Sequence, residues 1–266
     1  MAPPIFTLHP GTAPLLVSLP HIGTHIPADL HADLVPRALE VEDTDWHLDQ
    51  LYDFVRELGA GLIVPHHSRF VIDLNRPPAD TPMYAGANNT GLCTTRFFTG
   101  DPLYRTGREP DAAAIAQRRQ TYWQPYHDAL NAEMSRLQAQ HGFALLFDGH
   151  SIRSRLPWLF DGVLPDLNLG TAEGRSCAPG LRHALAQVLQ QHPRFSHVVD
   201  GRFKGGYITR HFGQPAAGRH AVQLEMCWST YMEEAAPYRV DPQRAAALAP
   251  VLRGLVHALL AWRPDA

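Results

Sequence analysis

The chain has 266 residues, enough for one large domain with a substantial buried core. Its 23 Lys and Arg against 26 Asp and Glu leave a formal net charge of −3, which excludes a general field favouring nucleic acid or anionic lipid. Three widely separated cysteines, Cys93, Cys177 and Cys227, exclude a disulfide framework or a Cys-rich structural zinc site and fit a reducing compartment.

No continuous apolar run approaches the roughly 20 residues that span a bilayer. The opening MAPPIFTLHPGTAP has neither a basic n-region nor an apolar h-region. A cytoplasmic protein without nucleic-acid or membrane partners is therefore expected.

In chain order, Leu15 to Leu19 reads as a first strand ended by Pro20. Asp45 to Leu58 reads as a helix, with Leu48, Leu51, Val55 and Leu58 on one stripe and Gly59 as its stop. Leu62 to Val64 and Phe70 to Leu74 read as the next strands. The segment from about 76 to 110 then has no period and is rich in Gly, Pro, Asn and Thr. Its aromatic and Arg content (Tyr84, Arg96, Phe97, Phe98, Tyr104, Arg105) marks it as an ordered active-site loop. Asp111 to Gln140 is a long helical pattern that Pro125 kinks or splits, and Phe143 to Asp148 is the clearest buried strand. Leu181 to Gln191 is an amphipathic helix, His197 to Val199 and Ala221 to Met226 are later strands, and a terminal helix runs from about Pro242 to Trp262. This alternation predicts one α/β domain, a mixed central sheet flanked by helices.

Ligands in open α/β sheets bind at the carboxyl ends of strands, and three strands here end in one chemical style. LLVSLPH leaves His21 just past a strand, FALLFDGHS leaves Asp148 and His150, and AVQLEMCW carries Glu225. Two imidazoles suit zinc, whose catalytic sites use three protein ligands. EDTDWHLD offers Asp43, Asp45 and His47 for the third; Asp45 reads equally as a helix N-cap. Glu225 lies inside an apolar run, so it is either ion-paired with an Arg or shifted in pKa and available as a general base. Asn75 and Arg76 follow the Phe70–Leu74 segment, and an Arg there suits bidentate carboxylate recognition. Arg210, in KGGYITRHFG where Gly205 and Gly206 permit close backbone approach, is a second carboxylate candidate or a surface charge. Arg69 lies nearby.

Taken together, PLLVSLPHIGTHIP, DTDWHLDQLYDFV, SRFVIDLNRPP, LLFDGHSI, GGYITRHFG and AVQLEMCWSTYM resemble the N-formylglutamate amidohydrolase family over most of the chain. The family looks like a relative of zinc carboxypeptidases and aspartoacylase, which implies a phosphorylase/hydrolase-like fold. The resemblance implies Zn2+, one per chain, with His21 and His150 as ligands and Glu225 as the carboxylate that activates the attacking water. It implies Asn75 and Arg76 as the pair that holds a substrate carboxylate. One departure stands out. The relatives use His-x-x-Glu for two ligands, but here Thr24 stands where that Glu would be, so Asp45 is taken as the third ligand with Asp43 in reserve. The implied reaction converts N-formyl-L-glutamate, a small dicarboxylate, to formate and L-glutamate at the end of a histidine-degradation route. The alternatives are an N-acyl amino-acid deacylase of other acyl specificity, a non-haem iron oxygenase, whose facial triad is also two His and a carboxylate, and a binding module without turnover.

Overall fold

Short strands that are apolar on both faces alternate with helices, and in the computed structural model, which describes residues 3–83 and 88–264, they build a single seven-stranded sheet. The strands are β1 (Phe6–His9), β2 (Leu15–Ser18), β3 (Gly61–Pro65), β4 (Ala144–Ile152), β5 (Leu167–Gly170), β6 (His197–Val199) and β7 (Arg219–Cys227). The helices are α1 (Leu48–Leu51), α2 (Ala112–Arg118), α3 (Gln124–His141), α4 (Pro179–Gln190), α5 (Tyr207–Phe212) and α6 (Pro242–Ala261). Strand order is β1-β3-β2-β4-β7-β5-β6. β1 runs antiparallel to β3 and β5 antiparallel to β7; the other pairings are parallel. The sheet is therefore mixed and flanked by helices, as its sequence predicts.

The period of two along each strand sorts side chains into two cores. Leu15, Val17, Leu145, Phe147, Val222 and Leu224 pack beneath α4 and α6. Leu16, Ile63, Leu146 and Ala221 face the opposite way, against Tyr126, Leu130 and Met134 of α3 and Ile208 and Phe212 of α5. Burial on both faces explains why β2 and β4 read as continuous apolar runs.

Several expectations are corrected. Phe70–Leu74 is not a strand: Val71 N–H donates to Ser68 O, Asp73 N–H to Leu92 O and Asn75 N–H to Asp73 Oδ1, so its backbone is satisfied by turns and a loop. Phe70 and Val71 are apolar because they fill a third core cluster with Phe97, Leu103 and Tyr104. The helix expected from Asp45 to Leu58 shrinks to α1 and a 3-10 turn at Asp53–Val55, because His47 adopts a left-handed φ of 63° immediately before it. The 111–140 pattern is interrupted by a π-helical turn, Arg119–Trp123, just ahead of Pro125, and resumes as α3. β1 and β5 have no counterpart in the sequence reading; β1 is a short edge strand between prolines. By length and averaged hydropathy α6 would pass as a bilayer-spanning helix, which a count of continuous apolar residues does not anticipate. Its Leu248, Val251, Leu252, Leu255, Val256 and Leu259 stripe belongs to the first core.

Candidate metal centre and active site

The alternation that buries the strands also aims the polar residues. On β4, Leu145 and Phe147 face one core, so Asp148 and His150 share the other face with Leu146. The parallel register sets His150 opposite Glu225 and Asp148 opposite Gln223 on β7, with Asp148 opposite Ser18 on β2. β4 continues through His150 to Ile152, so this histidine sits inside the strand and not beyond its end. His21 comes from the turn that follows β2.

His21, Asp45 and His150 each offer a ligand atom, all within 4.8 Å of one another, and all three residues are buried. Asp45 Oδ2 lies 3.1 Å from His150 Nδ1 and 3.6 Å from His21 Nδ1. The opposite ring nitrogens are both met by carboxylates: His21 Nε2 is 2.8 Å from Asp73 Oδ1, and His150 Nε2 is 3.0 Å from Asp148 Oδ2. With each Nε2–H donated outward, both Nδ1 lone pairs point to the side where Asp45 lies, the carboxylate–histidine arrangement usual behind metal ligands. Asp45 does not cap a helix. Its backbone N–H donates to His21 O, and its Oδ1 is buried without a hydrogen bond. A carboxylate that meets two imidazoles through Oδ2 while its buried Oδ1 has only Arg69 Nη1 at 3.9 Å fits a cation, and the donor set of two nitrogens and a carboxylate suits zinc. Asp43, the reserve ligand, turns away and accepts from Phe98 N–H, while His47 lies against Tyr238 O.

Electrostatics follow the same plan. Burial alone would push Asp73 up, but Arg69, His21 and Arg76 hold its carboxyl well below the usual carboxylate range. Burial likewise opposes a charged His150, yet Asp148 and Asp45 raise its pKa well above the ordinary value. Glu225 behaves in the opposite way. It is buried, no hydrogen bond or ion pair to its carboxylate is seen among the described residues, and burial pushes its pKa up to about 8. The ion-pair alternative for Glu225 therefore has no partner among the described residues; Arg69 instead lies 2.6 Å from Asp73 Oδ2.

His21, Asp45, His150, Glu225, Asn75 and Arg76 all line one cavity. Asn75 is pinned from both ends: Nδ2 donates to Asp148 Oδ2 at 3.2 Å, and Oδ1 accepts from Ile208 N–H at 2.8 Å. A Cβ on Gly206 would sit 2.3 Å from Asn75 Nδ2, so glycine there is a steric requirement of the site. Arg76 is held by Thr90, with Nε on its carbonyl and Nη2 on its hydroxyl. Arg210 is not among the cavity-lining residues; from α5 its Nε donates back to Gly205 O. The 76–110 segment contributes Met83, Asn88, Asn89, Thr90 and Phe98 to the cavity and buries Phe97 and Tyr104 in the core. Tyr84 lies outside the described residues. The sequence reading missed the orienting parts of Asp73 and Asp148, although each is an acid in an apolar run and carries the same signal as Glu225. It also missed Arg202, a lining residue from the loop after β6 that no motif marks.

Comparison with known proteins gives the family. The model of the family described as N-formylglutamate amidohydrolase matches residues 13–232. An N-formylglutamate deformylase of Pseudomonas putida is 49% identical over 258 residues, covering 97% of this chain and 96% of that protein. One from Pseudomonas aeruginosa is 50% identical over 252 residues, covering 95% and 94%. A crystal structure of N-formylglutamate amidohydrolase from Ralstonia eutropha superposes with a TM-score of 0.79 at 27% identity, covering 96% of this chain and 97% of that one. The chain belongs to the N-formylglutamate amidohydrolase family.

Proposed function

We propose that this protein hydrolyses N-formyl-L-glutamate to formate and L-glutamate, using one divalent ion, zinc, held by His21, Asp45 and His150. The observation that carries the reading is the convergence of two carboxylate-backed imidazoles and Asp45 with a buried Glu225 whose carboxylate has no ion pair among the described residues. Relatives of about half-identical sequence bear the name of this activity. The step would close a histidine-degradation route.

The ion would supply Lewis acidity, acidifying water and polarising the formyl oxygen. The remaining work falls to the chain. Asp73 and Asp148 fix the ring orientation of His21 and His150. Asn75 and Arg76 orient the substrate through a carboxylate, which aims the formyl carbon at the centre. Glu225, with its raised pKa, takes a proton from the attacking water and returns it to the departing amine nitrogen, so the C–N bond breaks as formate and L-glutamate form. A binding module without turnover has little use for such a carboxylate.

The decisive assay offers the purified protein formyl-, acetyl- and formimino-L-glutamate side by side, before and after chelation. Formylglutamate should be the preferred substrate, chelation should abolish turnover and zinc should restore it. Preference for another acyl group would make the protein a different deacylase. Restoration by iron(II) alone, with oxygen uptake, would make it an oxygenase.

A further inference from the structure

We infer that Arg202 anchors the substrate carboxylate remote from the amide, while Asn75 and Arg76 take the carboxylate beside it. The inference rests on the deformylase reading above. N-acyl glutamate carries one carboxylate on the carbon that bears the scissile nitrogen and a second beyond two methylenes. One end is fixed at the reacting centre, so the second charge must reach a different part of the cavity wall.

Three guanidinium groups line that wall, and they are not equivalent. Arg69 is buried, with Nη2 2.6 Å from Asp73 Oδ2 and Nη1 3.9 Å from Asp45 Oδ1, so its charge is matched by the carboxylates of the centre. Arg76 is tied to the reacting end through Asn75, whose Nδ2 lies 2.9 Å from His150 Nε2. Arg202 arrives from another direction. It follows β6, the edge strand two places beyond β7 in the sheet, and lines the cavity beside Leu159 and Phe203. Its Nε and Nη2 donate to the carbonyl of Leu159 at 3.3 and 3.0 Å, and its guanidinium carbon lies 5.3 Å from the Phe203 ring centroid. Among the described residues, these contacts orient the guanidinium fork.

The surrounding chemistry suits such a ligand. Leu159, Phe203 and Ile152 line the cavity beside Arg202 and offer apolar contact to two methylenes. A guanidinium seated in an apolar wall binds a carboxylate through charge-assisted hydrogen bonds, stronger there than in open solvent.

The test compares N-formyl-L-glutamate with N-formyl-L-glutamine, which differ only in the remote charge. In Arg202→Met the ratio of their kcat/KM values should fall about 10- to 100-fold, mainly through KM for the glutamate substrate, and Arg202→Lys should recover part of it. Calorimetric binding of L-glutamate and L-glutamine to the zinc-loaded protein should show the same loss of preference. A variant that loses both substrates in proportion, or keeps the wild-type ratio, overturns the assignment. Wild-type protein that turns over neither formyl substrate counts against the deformylase reading instead, and the binding pair still decides the part played by Arg202.

Discussion

Each chemical residue here is defined by what lies behind it. His21 and His150 are plain imidazoles until Asp73 and Asp148 accept hydrogen bonds at their Nε2 atoms and leave both Nδ1 atoms facing Asp45. Glu225 is the converse case, a carboxyl without a hydrogen bond or ion pair among the described residues, and burial raises its pKa to about 8. Glu225→Gln would remove the proposed base while keeping shape and burial. We expect kcat to fall about 10²- to 10⁴-fold with zinc still bound at one per chain by elemental analysis. Loss of the metal in this variant would make Glu225 a ligand. The acids were legible as anomalies in apolar runs, but their division of labour was not. Whether a buried carboxylate is a ligand, an orienting group or a base depends on which nitrogen it meets, and spacing carries no such information.

At the scale of elements, the segment from Asp73 to Arg76 is held in place by α3 and the turn before it. Trp123 Nε1 donates to Arg76 O at 3.0 Å and His127 Nε2 to Leu74 O at 2.8 Å. His127 is stacked on Trp123, and its Nδ1 is buried without a partner. Burial lowers its pKa from 6.5 to about 3, with nearby His211 adding repulsion. Above pH 6.5 the ring is neutral in folded and unfolded chains and adds no pH dependence. Between about 6.5 and 3 only the unfolded chain binds the proton, so stability falls as pH falls, by about 1.4 kcal/mol per unit from this group. His127→Gln keeps a donor for Leu74 O and does not titrate. Urea unfolding of the variant between pH 6.5 and 4 should lose one proton's worth of slope relative to wild type; an unchanged slope would refute this account. The same region shows why strand expectations failed. An apolar β-branched run such as Phe70–Leu74 signals burial, and burial here is met by turns packed under a loop.

For the whole molecule, the centre joins distant parts of the chain, from the turn after β2, the stretch before α1 and the middle of β4. An ion bound there stabilises only the folded arrangement. At free zinc about 1,000-fold above its Kd this linkage is worth about 4 kcal/mol, so chelation should lower Tm by about 10 °C in scanning calorimetry, reversibly on zinc addition. A Tm indifferent to chelator and zinc would argue against a structural stake for the ion. By itself the sequence determined the α/β class, the buried strands β2, β4 and β7, and the candidate ligands His21 and His150, because apolar periodicity and polar residues in or beside apolar runs are local properties. Only the tertiary structure set Asp45 beside the two histidines and turned Asp43 to Phe98 N–H, gave His21 and His150 their carboxylate partners and brought Arg202 to the cavity. Those outcomes depend on strand order and on loops packed from opposite ends of the chain, and contacts between residues so far apart leave no periodic trace in one sequence.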